Sequence, residues 1–489
     1  MPAAPPAGEA GRRRRLLILV ICAFSLFMTY LDSTILNVAL PTVEHQLHAS
    51  LSQLQWVVDA YMVVLASLLL VAGATADRIG RRAMFSVGLL TFAAGSLLCS
   101  LAPSVGWLIA FRALQAAGGS MLTPVSLSIV RTTFTDPGER ARALGLWSGV
   151  FGLATACGPP LGGLLVDLVG WRSVFWVNLP VGIAAFLLTR RFIPESTADR
   201  PRRVDPPGQA LVVVALASCT YAIIEGPSWG WTAPTTLGLL AASAAAFAAL
   251  VAVERRRVEP LLETRFFRSP PFAGASAIAV LTFTVLAGFL FVNTLYLQDV
   301  RGASALVAGL ETLPATALIA ASAPFAGRVV ARHGPRWPLV VAGLLQAGGA
   351  AILYGAGRAT PYGVLVVAYV LLGTGFGVIN PPITNTAVTS MPPAQAGVAS
   401  AVTSATRQLG NVLGVALGGA LLATQVHAHL AALGRAPWAL FVACGLGCAV
   451  VGLVTTSRRS MAVARSVYSD LGHEARSAPS APRAAPTRQ

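Results

Sequence analysis

The feature that most constrains this chain is a succession of long apolar runs. Fourteen lie near 16–40, 54–76, 83–102, 106–130, 142–166, 174–190, 209–225, 235–253, 272–297, 306–330, 338–356, 362–382, 398–424 and 437–456. A helix needs about 20 mostly apolar residues to cross a hydrocarbon core about 30 Å thick, and most of these runs reach that length. The shortest are 174–190 and 209–225. The chain of 489 residues is 55% hydrophobic and 11% charged, with a mean hydropathy of +0.69. A soluble domain carries about 25% charge. The expected fold class is therefore an all-α membrane protein with fourteen transmembrane helices, and its first partner is the lipid bilayer.

The net charge of +16 invites a nucleic-acid reading, and its placement argues against one. The chain has no lysine. With the N-terminus inside, arginines collect on one side: Arg12–Arg15, the Arg78/Arg81/Arg82 loop, Arg131, Arg140 and Arg142, the stretches 190–203 and 255–268, Arg328, Arg332 and Arg336, and the C-terminal tail. The other side holds Arg172, Arg301, Arg358 and Arg435. Such an asymmetry puts the arginine-rich loops and both termini in the cytoplasm. The first run is not read as a signal peptide, because Asp32 interrupts it and no small-residue cleavage site follows. The six cysteines all sit inside apolar runs and read as small packing residues.

The chain also repeats itself. Gly73-Ala-Thr-Ala-Asp77-Arg78-Ile-Gly80-Arg81-Arg82 returns about 255 residues later as Gly327-Arg-Val-Val-Ala331-Arg332-His-Gly334-Pro-Arg336. Gly158-Pro159-Pro160-Leu-Gly162-Gly163 is echoed by Gly414-Val-Ala-Leu-Gly418-Gly419 at nearly the same offset. Two echoes at one spacing imply two homologous halves, as in transporters built by duplication. The resulting plan is a disordered cytoplasmic tail (1–15), a six-helix bundle (16–190), a linker with two extra helices (191–271), a second six-helix bundle (272–456) and a disordered tail (457–489).

Polar groups inside the runs are the candidate machinery. Asp32 in the first run costs roughly 2.5–3.5 kcal/mol or more to bury, so it needs a partner, water or a proton. It is a structural carboxylate bonded to a neighbouring helix, or a group that carries protons or touches substrate. Arg112 and Gln115 lie in the fourth run; Arg112 pairs with Asp32 if those helices are neighbours, or else it snorkels to the headgroups. Glu311 is either a second protonatable group facing a cavity or an inert residue at the outer surface. Glu225 reads as interfacial. Asp77 beside its arginines can cap the next helix or latch helix ends. Aromatic residues Phe27, Tyr30, Trp56, Tyr61, Trp147 and Phe289 are candidates for an apolar binding wall, or simply packing residues.

At these residues the chain resembles the major facilitator superfamily, and within it the fourteen-spanner drug:proton antiporters. The hinge matches G-x-x-x-D-R-x-G-R-[KR] at Gly73, Asp77, Arg78, Gly80, Arg81 and Arg82, and Gly158, Pro159, Gly162 and Gly163 match the antiporter signature G-P-x-x-G-G. Asp32, Thr34, Asn37 and Pro41 match L-D-x-T-x-x-N-x-A-L-P, and Trp171-Arg172 through Asn178 and Pro180 match W-R-x-x-F-x-x-N-x-P. Tyr296-Leu-Gln298, Ala308-Gly309, Pro314 and Arg407-Gln408-x-Gly410-Asn-x-x-Gly414 continue it. Two departures are Ala116, where the pattern R-x-x-Q-G-x-G expects a glycine and which loosens the expected packing, and Glu311, where an apolar residue is expected.

The resemblance implies proton-driven export of hydrophobic or amphiphilic small molecules, such as antibiotics, across a bacterial cytoplasmic membrane by alternating access. Proton coupling is then expected of Asp32, Arg112 and Glu311. Substrate contact falls to Tyr30, Asn37, Trp56, Tyr61, Gln115 and Trp147, and gating to the hinge and the G-P-x-x-G-G residues. A porter for a nutrient or anionic metabolite is the alternative. No cofactor is expected: without lysine there is no G-K-[ST] phosphate loop for ATP. No enzyme motif such as H-E-x-x-H is present, and the pairs His45/His48 and His427/His429 lack the acidic or cysteine partners a metal site would need. Nothing in the sequence demands more than a monomer.

Overall fold

The structure, a computed structural model, describes residues 9–198, 205–257, 264–392, 395–427 and 435–477. Among these residues it is helical throughout, with no strand. The first half comprises α1 (Glu9–Leu47), α2 (Leu51–Ile79), α3 (Arg81–Ser100), α4 (Val105–Thr133), α5 (Pro137–Leu168), the single turn α6 (Ser173–Trp176) and α7 (Asn178–Phe192). Helices α8 (Pro206–Trp229) and α9 (Pro234–Glu254) follow. The second half comprises α10 (Pro270–Leu295), α11 (Ala305–His333), α12 (Arg336–Tyr354), α13 (Tyr362–Thr389), α14 (Ala396–His427) and α15 (Arg435–Thr455), with α16 (Arg458–Ser477) after it. Thirteen of the described helical segments are long and apolar enough to cross a membrane. Helix α14, 32 residues long, covers the remaining run at 398–424.

Local sequence explains where helices begin and end. Ser50 and Gln53 form a reciprocal capping box at the start of α2, satisfying two otherwise orphaned backbone donors. Asp136 caps α5 through Glu139 N at 2.8 Å, Asp205 caps α8 and Ser304 caps α11. Between α2 and α3 stands Gly80 at φ +112°, and between α11 and α12 stands Gly334 at φ +78°. An L side chain rarely adopts either conformation. The repeated glycine of the sequence is thus a repeated chain reversal.

The two halves pack with the same plan. Helix α5 lies along α1 and crosses to α11 in the other half, while α14 lies along α10 and crosses to α2. Small residues permit these approaches. A Cβ on Gly162 would meet Ile35 O at 2.7 Å, and one on Gly309 would collide with Pro159 O. On the other crossing a Cβ on Gly419 would collide with the Gln55 side chain. Helix α8 rests on both α2 and α14, with Ile223 and Ile224 packed against Ala416 and Ala420, so the extra pair touches both halves from one side.

Three expectations are corrected. The first helix begins at Glu9, not near residue 16: Arg14 donates to Phe192 O at 3.1 Å and Arg15 pairs with Glu139 at 3.5 Å, tying the arginine stretch to α7 and α5. Residues 458–477 form α16, whose Ala464 is buried and whose Val467 packs on the cluster around Phe272 and Ile278. Ala116 does not loosen the α3–α4 contact. A Cβ on Gly95 would meet Gln115 Cα at 2.6 Å, and Gly118 abuts Phe92 and Gly88 just as closely, so the neighbouring glycines carry the approach. The outermost tail residues, 1–8 and 478–489, and His429 lie outside the described residues.

Candidate functional site

Asp32 sits near the middle of α1, 1% exposed. Arg112 of α4 gives Nη1 to Asp32 Oδ2 at 2.5 Å, so the fourth helix does lie beside the first. Gln115 Nε2 donates to Asp32 Oδ1 at 2.7 Å, and Asn178 Nδ2 of α7 donates to the same oxygen at 2.8 Å. Gln115 Oε1 in turn accepts from Arg112 Nη1 at 2.7 Å. Arg112 Nε donates to Val57 O at 3.2 Å, and its guanidinium lies 4.2 Å from the centre of the Tyr61 ring. Ser96 Oγ of α3 accepts from Gln115 Nε2 at 3.3 Å and from Asn178 Nδ2 at 3.0 Å, so five helices of one half join in the network around this carboxylate. Each charge has its counter-charge and its hydrogen bonds, which is what makes a buried ion pair tolerable. Arg112 is fully buried, so it does not snorkel.

The other candidates scatter around this centre. Tyr30 packs edge-on against Phe151 of α5 with ring centres 4.8 Å apart. It faces Arg407 of the opposite half. Asn37 is buried, donates to Ser33 O at 3.1 Å and leaves Oδ1 without a partner. Trp147 donates from Nε1 to Ser126 Oγ at 3.2 Å. Trp56 meets Tyr221 of α8 at 5.3 Å, which places it toward the extra helices. Phe289 is fully buried and packs edge-on against Tyr369, inside the second half. Glu311 lies in the second turn of α11, close to the end of the molecule that carries few arginines. Its Oε2 has no partner, and it stands apart from the Asp32 network.

Asp59 of α2 is a residue sequence reading missed. It is fully buried, and neither carboxylate oxygen has a hydrogen-bond partner. A carboxyl without partners inside a membrane helix is costly to keep and so marks a functional candidate. It was findable by the rule that singles out Asp32, an acidic residue within an apolar run.

The hinge residues form a compact clasp. Asp77 Oδ1 accepts from Arg81 Nη2 at 2.9 Å. Glu195, beyond α7, accepts from the backbone N–H groups of Arg82 at 2.9 Å and Ala83 at 3.1 Å, capping α3 from the linker. Ala198 N donates to Asp77 O at 3.0 Å. At the opposite, arginine-poor end the two halves are tied together. Asp167 Oδ2 accepts from Ser304 Oγ at 2.7 Å and Leu306 N at 3.0 Å. Gln298 Nε2 donates to Val38 O at 2.9 Å, and Gln55 Nε2 to Ala416 O at 2.9 Å. Gly158, Pro159, Gly162 and Gly163 lie where α5 meets α1 and α11.

Two six-helix halves related by a repeat, with a sealed ion pair in one and polar ties across their interface, are the architecture of a membrane transporter. The chain belongs to the Major Facilitator Superfamily, whose family model matches residues 22–415. It is 38% identical over 420 residues to the multidrug resistance protein Stp of Mycobacterium tuberculosis H37Rv, covering 86% of this chain and 78% of that one. It is 39% identical to the tetracenomycin C resistance and export protein of Streptomyces glaucescens, with the same coverage. It is also 39% identical to the methylenomycin A resistance protein of Streptomyces coelicolor A3(2), covering 87% and 88%. Among solved structures, an inward-facing, unoccupied bacterial homologue of the human lysosomal transporter Spinster superposes with a TM-score of 0.62. At 18% identity, over 95% of this chain and 99% of that one, it is a likeness of fold.

Proposed function

We propose that this protein exports hydrophobic or amphiphilic small molecules, antibiotics among them, across a bacterial cytoplasmic membrane in exchange for protons. The observation that carries the reading is the buried Asp32–Arg112 pair, in a chain similar along most of its length to resistance and export proteins. The arginine distribution supports a cytoplasmic position for the Asp77 clasp and both termini. The ties through Asp167, Gln298 and Gln55 then close the outside, and this conformation faces inward.

Rocking of the two halves about the α5–α11 and α2–α14 crossings exposes the interface to each side in turn. A proton arriving on Asp32 from outside cancels the charge that holds Arg112 and removes an acceptor from Gln115 or Asn178. That weakens the network joining five helices and favours the inward return. Loss of the proton inside restores the pair and favours the substrate-loaded swing. Proton and substrate are exchanged because each biases the same two-state equilibrium in opposite directions. The pH gradient drives the cycle, without ATP, and one chain contains every part.

The test is drug accumulation in a bacterial host stripped of its own exporters. Cells making this protein should hold several-fold less of at least one lipophilic compound, in a panel of acidic, neutral and cationic dyes and antibiotics, than cells making Asp32→Asn. A protonophore should abolish the difference. Exclusion that survives the protonophore would remove proton coupling, and equal accumulation across a broad panel, with the protein present in the membrane, would remove export.

A further inference from the structure

Arg407 stands out among the basic side chains because it is deep, charged and uncompensated. It lies 11 residues beyond Ala396, the start of α14, about 16 Å into the helix at 1.5 Å per residue. Its guanidinium reaches back toward Thr384, in the last turns of α13, and toward Ser400, near the start of α14. Among the described residues it forms none of the ion pairs. Its Nη2 donates to Thr384 Oγ1 of α13 at 2.5 Å, while its Nε is buried without a partner. The titratable group within its electrostatic reach is Tyr30, across the interface between the halves. Phe283 offers a ring face at 5.7 Å, a weak substitute for an anion.

Beside the guanidinium is a niche of about 20 Å³ lined by Thr384, Val388, Ser400, Thr403 and Ser404. That is room for roughly one oxygen-sized group, and its rim is rich in hydroxyls. A charge on a membrane helix normally faces a cavity and meets a counter-ion, and the guanidinium fork suits planar oxyanions.

We propose that Arg407 anchors an anionic oxygen, a carboxylate, sulfonate or phenolate, at one end of an amphiphilic substrate whose apolar body lies between the halves. This rests on the export reading and narrows it: the chain favours amphiphiles with an acidic group over their uncharged counterparts.

The test uses the full chain in lipid nanodiscs and two matched fluorescent amphiphiles, 8-anilinonaphthalene-1-sulfonate and its uncharged parent N-phenyl-1-naphthylamine, corrected against empty nanodiscs. The wild type should bind the sulfonate at least tenfold tighter than the parent. Arg407→Gln should lose that preference with binding of the parent unchanged, and Arg407→Lys should keep part of it. Ser404→Asp, one turn away on the same helix, gives the guanidinium an internal partner and should displace the sulfonate while preserving the fold. Equal loss of both probes in Arg407→Gln, unchanged sulfonate binding in Ser404→Asp, or a wild type without the preference would overturn the proposal. A wild type that shows the preference yet moves neither probe down an imposed pH gradient would leave the subsite standing and count against export alone.

Discussion

At the scale of single residues, two buried aspartates in neighbouring helices have opposite surroundings. Asp32 receives three side-chain donors, and Asp59 receives none. Asp32→Asn leaves Arg112 as a buried charge without its counter-charge, which typically costs 3–5 kcal/mol. Asp32→Asn should therefore lower the unfolding temperature of the purified protein, and Asp32→Asn with Arg112→Gln should recover most of that loss. Asp59→Asn should leave stability nearly unchanged. A double variant no more stable than Asp32→Asn, or an Asp59→Asn that unfolds as early, would contradict this contrast. Asp32 and Arg112 were legible in the sequence because lipid makes a charge expensive wherever it points, while Asp59 was overlooked though the same rule covers it. Their partners were less so: Asn178 lies 146 positions from Asp32, and no spacing rule joins them. Trp56 shows the same limit, since an aromatic in an apolar run carries no sign of whether it faces substrate space, lipid or α8.

At the scale of elements, glycine did most to make the fold legible. Gly80 and Gly334 occupy equivalent reversals in the two halves, and the G-P-x-x-G-G stretch lies where α5 touches both α1 and α11. Gly80→Ala forces a side chain into a backbone conformation that costs about 1–3 kcal/mol, and its Cβ would press on the Glu195 carboxylate at 2.5 Å. We expect a lower unfolding temperature and several-fold weaker drug exclusion, because the α2–α3 turn and its Glu195 cap shift together. Unaltered stability and exclusion would show that the turn tolerates the change. Two features lay beyond the sequence reading at this scale. Helix α16 stands in a polar, arginine-bearing tail, and only docking against α10 reveals it. Glu195 sits in a linker where a glutamate has no reason to stand out until α3 presents its free N–H groups.

At the scale of the whole molecule, the two halves meet through crossings that are close because they lack side chains, and through polar ties at the arginine-poor end. If that end opens during each cycle, a covalent tie there should stop it. Asp167→Cys with Ser304→Cys replaces a contact of 2.7 Å, and oxidation should join the pair and halt export, with reductant restoring it. Export at the full rate with the bridge formed would contradict the rocking motion. The all-helical membrane fold was legible because apolar length records it directly, and the repeated glycines marked the two equivalent reversals. The conformation was not, since the same residues must serve both states of a rocking molecule.

Proton exchange through Asp32 is tested most directly by proton movement in liposomes containing only this protein. With the interior made acidic and a pH-sensitive dye enclosed, an exported compound added outside should trigger proton efflux in proportion to its uptake. The wild type should respond, and Asp32→Asn, at equal incorporation, should not. A response of equal size in Asp32→Asn, or drug uptake by the wild type with no proton efflux, would contradict coupling through this residue.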